Sequence, residues 1–193
     1  GLEEYLGCFS DNGKLKGVRH VLHDEPDDDY MLRDDFNNGI RELTRLGLTY
    51  DILIFEKHLP QTIRFVDRHP AQVFVLDHVA KPKIYAGELS PWRENIQKIA
   101  ERENVYCKLS GLVTEAHFDT WHPDQLRPYV EVVLEAFGPR RVMFGSDWPV
   151  CNVASDYGQW LGTAAALTDT LTAGEKDWIF GGTAVEAYNL VNP

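Results

Sequence analysis

The feature that most constrains this chain is an alternation of short strand-like runs with longer helical stretches, repeated five times. Residues 16–22 (KGVRHVL) read as a strand, followed by a helical stretch from Tyr30 to Leu46 with Gly47 as its stop. Residues 49–55 form the next strand, and Leu59 to Arg68 the next helix, with Pro70 ending it. A third strand covers 72–78, and its helix opens at Ser90-Pro91, with serine as N-cap and proline in the first helical position. The fourth strand is 104–110, and its helix runs from Pro123 to Phe137, stopped by Gly138-Pro139. The fifth, 141–147, precedes helical segments at about 155–171 and 173–190, the second introduced by a capping box of Thr172 and Glu175. The acidic run Asp27-Asp28-Asp29 reads as a solvated helix start. Strands joined by helices long enough to cross over imply a parallel sheet. No linker or low-complexity tract interrupts the 193 residues, so the expectation is one domain, 1–193.

Two parallel architectures compete. A doubly wound sheet offers a glycine-rich phosphate turn after its first strand. Here His23-Asp24-Glu25-Pro26 follows the first strand, and no GxGxxG or P-loop occurs. Polar residues gather instead at strand C-terminal ends, at His23, His78 and Asp147, where a barrel enzyme keeps its chemistry. The fold class expected is therefore α/β, a partial (β/α)8 TIM-type barrel of five units. A whole barrel needs eight strands and roughly 250 residues.

The strongest local signal is Phe144-Gly145-Ser146-Asp147-Trp148-Pro149, a strand ending on a carboxylate. Alternation puts Met143, Gly145 and Asp147 on one face, toward the axis. A carboxylate there can act as general base toward water; a cap or turn role is the plain alternative. In Leu76-Asp77-His78-Val79-Ala80-Lys81-Pro82, His78 ends a strand and is read as sharing a face with Phe74 and Leu76. It could bind a metal or donate to a carbonyl, and Lys81 could hold an anionic group. Asp77, read on the opposite face, is given a structural role. Lys108 points away from Val105, Cys107 and Leu109, so it needs either a substrate or a buried carboxylate such as Asp51 or Asp147. Arg19 shares a face with Val21 and His23 and would suit a carboxylate or lactone oxygen. His20 is read as a core histidine facing the helices, and His58, His69, His117 and His122 as surface residues.

The formal charge of −11 disfavours nucleic acid and anionic membranes as partners, and no apolar run approaches the roughly 20 residues of a membrane helix. Three scattered cysteines form neither a zinc pattern nor a disulfide framework. With no leader at Gly1-Leu2-Glu3-Glu4, the expected location is cytoplasmic. No H-x-H or H-E-x-x-H is present.

The segments GVRHVLHDEPD, FVLDHVAKP, NVYCKLSGL, RVMFGSDWPV and IFGGTAVEAYNL resemble, in order, the amidohydrolase-related family that includes sugar-lactone hydrolases. The resemblance implies that these strands are the fourth to eighth of a distorted (β/α)8 barrel whose first strands, with their H-x-H pair, are absent. It implies a small-molecule sugar lactone as substrate, Asp147 and His78 as catalytic residues, and Arg19, Lys81 and Lys108 around the substrate. His78 and Asp147 would also be ligands wherever a divalent metal such as zinc is bound, a requirement the sequence leaves open. One departure is Gly182-Thr183-Ala184, where the family has Gly-Asn-Ala. A metal-dependent decarboxylase and an inactive fragment or binding protein are the competing readings. Open edges at 16–22 and 141–147 would favour association, with a second copy among the candidates.

Overall fold

The computed structural model describes residues 6–9 and 14–190. Five parallel strands form one sheet: β1 (Gly17–Val21), β2 (Thr49–Leu53), β3 (Phe74–Leu76), β4 (Val105–Leu109) and β5 (Val142–Phe144). Their order in the sheet is their order in the chain. A doubly wound sheet reverses its strand order at a switch point, and no reversal occurs. The architecture is part of a (β/α)8 barrel, as the strand-end polar residues imply.

After β1 the α-helices are α1 (Asp34–Leu46), α2 (Leu59–Asp67), α3 (Trp92–Ala100), α4 (Pro123–Phe137), α5 (Tyr157–Leu167), α6 (Ala173–Asp177) and α7 (Thr183–Ala187). Gly47, at φ 66°, closes α1 because its N–H reaches back to carbonyls only from a left-handed residue. Helix α4 has the expected bounds and buries Leu126, Tyr129, Val130, Val133 and Phe137, one stripe of its surface.

Several boundaries differ from expectation. Every strand is shorter than read, most of all β3 and β5, because the chain turns before His78 and Asp147 are reached. The stretch from Tyr30 splits into a 3₁₀ turn, Tyr30–Leu32, and α1, because Arg33 between them is extended. Pro91, not Ser90, occupies the N-cap of α3, with no side-chain cap. Beyond the expected Thr172–Glu175 capping box, the last stretch divides into α6, a π-helical turn over Trp178–Gly182, and α7. His58 and His69 are buried rather than on the surface: His58 bonds Asp28 and the Phe55 amide, and His69 bonds Asn37. His20 does face the helical side, stacked on Tyr30, but is partly exposed and held by Glu25.

The two faces of the sheet carry different chemistry. Tyr50, Ile52, Phe74, Leu76, Val105, Cys107, Leu109 and Val142 pack against the helices in the main core. The axis face bears the row Arg19, Asp51, Val75 and Tyr106, which pair strand to strand, and Lys108 opposite Met143. Segment α7 lies against this face: Ala184, Ala187 and Tyr188 cluster with Val75, Tyr106 and Met143. Thr49 donates to the Ala187 carbonyl at 2.7 Å, near the N-terminal end of the strands. Among the described residues no helix is long and apolar enough to cross a membrane.

Candidate active site

Each of the five loops that follow a strand contributes side chains to one end of the sheet. After β3 the chain makes a tight turn in which His78, Val79, Ala80 and Lys81 all have φ between 46° and 59°. A non-glycine residue in this region costs ~1–2 kcal/mol, so four in succession need firm support. Val79 and Ala80 are fully buried, Trp92 Nε1 donates to the Val79 carbonyl at 2.8 Å, and the Lys81 amide closes on the His78 carbonyl. The turn explains a correction. Alternation extended through it placed His78 with Phe74 and Leu76, which face the helices; the left-handed step re-aims the imidazole instead.

His78 is 8% exposed, and its Nδ1 lies 2.7 Å from Ser110 Oγ. Its Nε2 lies 3.4 Å from Asp147 Oδ1. Burial pulls the imidazole down to about 4, so it is neutral near pH 7. With Ser110 donating to Nδ1, the ring proton sits on Nε2 and faces Asp147. Gly111 is required behind the ring: its φ is +67°, and a Cβ there would sit 2.7 Å from the His78 Cβ. Asp147 itself is left-handed, φ 55°, just past the end of β5. Its carboxyl is raised above the ordinary range, first by burial and further by Asp77, with Lys81 and Arg19 opposing.

Beneath this pair lies a charged cluster. Asp77, with no exposed surface, accepts from Arg19 Nη1 at 3.0 Å and from Lys108 Nζ at 2.5 Å. Lys108 also reaches Asp51 at 3.2 Å, and Asp51 accepts from the Tyr188 hydroxyl at 2.7 Å. Burial opposes the Lys108 charge, but Asp77 and Asp51 outweigh it and hold its pKa above the usual lysine value. Asp77 is therefore on the axis face, opposite Phe74 and Leu76 as read, and it joins two of the predicted site residues. Lys108 is committed to two carboxylates, one of them the Asp51 that the sequence offered as its partner. Arg19 is the more open of the two cations, with its side chain 46% exposed.

A third group forms the rim. His23 stacks on Phe55, ring centroids 4.7 Å apart, and Lys81 Nζ lies 5.9 Å from the Phe55 ring centre. Lys81 pairs with Glu115, from the loop after β4. Sequence reasoning singled out neither Phe55, Ser110, Glu115 nor Tyr188.

Among the described residues no three His, Cys, Asp or Glu side chains converge to hold a metal ion. In the other tautomer, with the proton on Nδ1 toward Ser110, His78 Nε2 and Asp147 would offer two donors, one short of the three protein ligands of a catalytic zinc site. A zinc ion there would supply Lewis-acid polarisation, but these two side chains alone do not make its site.

The Amidohydrolase family matches residues 4–190. The L-fucono-1,5-lactonase of Burkholderia multivorans is 39% identical over 194 residues, covering 93% of this chain and 64% of that protein. Its namesake from Burkholderia ambifaria is 38% identical, covering 97% of this chain and 66% of that protein. The chain thus spans slightly under two thirds of these relatives. A crystal structure of an amidohydrolase from Burkholderia multivorans with bound zinc superposes with a TM-score of 0.91 at 35% identity, over 99% of this chain and 72% of that one.

Proposed function

The chain belongs to the amidohydrolase family, and from that premise we propose that the protein hydrolyses a sugar lactone to its hydroxy acid. The observation that carries this reading is the buried pair of Asp147 and a neutral His78, 3.4 Å apart at the loop end of the sheet. Asp147 takes a proton from water as the water oxygen attacks the ring carbonyl. A raised carboxyl pKa makes it a stronger base than an exposed aspartate. His78 Nε2–H and the Lys81 ammonium are the donors for the oxyanion that develops. The tetrahedral centre collapses, the ring C–O bond breaks, and protonated Asp147 returns its proton to the departing alkoxide. Arg19 contributes positive charge on the axis and a contact to substrate oxygen. Lys108 balances Asp51 and Asp77, so its role in substrate binding is indirect. Two donors are what the described residues offer a divalent metal, and no step above depends on one.

The test is Asp147→Asn. Turnover of L-fucono-1,5-lactone should fall ~10²–10⁴-fold, the usual worth of a general base, with the fold retained. Activity within about tenfold of the parent would remove Asp147 from this role.

A further inference from the structure

His23 carries a feature the mechanism does not use. Its Nδ1 is buried and has no hydrogen-bond partner, while its Nε2 lies 3.3 Å from Asp24 Oδ1. A buried polar atom without a partner is costly and calls for an explanation. With the ring proton on Nε2, toward Asp24, Nδ1 is a lone-pair acceptor. Phe55 fixes the ring plane by stacking, and Phe55 is itself held, because its amide donates to His58 Nδ1 at 3.2 Å.

Lys81, which pairs with Glu115, has its Nζ 5.9 Å from the centre of the same Phe55 ring. Lys81 and Glu115 act electrostatically on both His23 and Asp147, and Phe55 is a neighbour common to Lys81 and His23. The pair is mostly buried, with side chains 15% and 20% exposed, and Lys81 has donors beyond the one it gives Glu115. An ammonium, a carboxylate and an imidazole acceptor grouped around Phe55 match hydroxyl groups, each of which both donates and accepts. A flat aromatic neighbour suits the C–H face of a sugar ring.

We propose that His23 and Glu115, together with Lys81, form a hydroxyl-recognition subsite that binds the polyol edge of a neutral sugar lactone while its carbonyl lies at Asp147. The proposal rests on the lactonase reading for its substrate, and it assigns specificity to residues from the loops after β1, β3 and β4. A site built to bond hydroxyls discriminates strongly against an analogue that lacks them, because its polar groups are then left unpaired.

The experiment compares L-fucono-1,5-lactone with δ-valerolactone, the same ring without hydroxyls, in the parent, His23→Leu and Glu115→Gln. Thermal unfolding verifies that each variant is folded, and the near-isosteric Glu115→Gln carries the test if His23→Leu is not. The ratio of kcat/KM for the sugar lactone to that for δ-valerolactone should fall at least tenfold in each variant, mainly through KM. Equal losses on both lactones, or a ratio within twofold of the parent, would overturn the subsite. Calorimetric titration with L-fucose, which has the hydroxyls but no ester, separates the two proposals. Should the parent hydrolyse neither lactone, the hydrolytic reading fails; L-fucose binding weakened at least tenfold by the variants still supports the subsite, and a parent that binds no L-fucose overturns it.

Discussion

Replacing Lys108 with methionine is the most direct way to examine how the axis face is held. Arg19 and Lys108 balance Asp51 and Asp77, so the cluster is neutral. Lys108→Met leaves two carboxylates to one cation, and the Arg19 bond reaches only Asp77. Asp77 has no exposed surface and Lys108 only 18%, so solvent screens little of the loss. Removing one partner of a buried pair costs ~3–5 kcal/mol, a large share of the roughly 5–15 kcal/mol that holds a domain together. The cost should depend on pH. In the variant a carboxylate takes a folded pKa above its unfolded value near 3.9, so the folded chain binds a proton that the unfolded chain has released. Stability then falls as pH rises through that window, and the deficit is larger at pH 8 than at pH 5. Adding Asp51→Asn restores a balanced Arg19–Asp77 pair and should recover most of the loss. Guanidinium unfolding of the parent, single and double variants at both pH values measures each quantity. A loss under about 1 kcal/mol for Lys108→Met, or a double variant less stable than the single, would refute the charge-balance argument.

Gly111→Ala forces alanine to φ +67° and drives its Cβ into His78. The backbone conformation costs ~1–2 kcal/mol and the overpacking ~1–3 kcal/mol, while a displacement of His78 on the order of 1 Å lowers turnover ~10²-fold. Parent-like unfolding and kcat would show that nothing depends on that approach. Burial holds the His78 imidazole at about 4, below the 6.5 usual for histidine. Its contribution to stability is therefore present above pH 6.5 and lost as pH falls toward 4. His78→Gln should flatten that part of the stability curve, and an unchanged slope counts against a buried neutral imidazole. Burial also raises Asp147 from 3.8, so the acid limb of kcat/KM should lie above that value; a limb at or below it argues against Asp147 as the base.

The sheet was legible because short apolar-rich runs alternate with longer helical stretches, and each strand expected was found. The faces of β4 and β5 were legible because alternation holds while the backbone is extended, and Lys108 and Met143 lie where it puts them. It failed for His78, where β3 has ended at Leu76 and left-handed residues break the period of two. No local pattern announces four such residues when none is glycine. Tyr188 and Glu115 left no signal for another reason. Their partners, Asp51 and Lys81, lie 137 and 34 residues away in sequence, and only the closed fold brings them together.

Tyr188 also has a meaning in time. A chain emerges from the ribosome N-terminus first, and its domains fold as they appear. All five strands and four charged residues of the axis cluster are out by residue 144, yet the hydroxyl on Asp51 and the carbonyl that Thr49 bonds belong to residues 188 and 187. The base of the sheet thus stays open through most of synthesis and is sealed by nearly the last described turn of the chain. A chain cut short between residues 147 and 187 keeps every strand and every candidate catalytic group, but lacks the Ala187 carbonyl on Thr49 and the Tyr188 hydroxyl on Asp51 that close the base of the sheet.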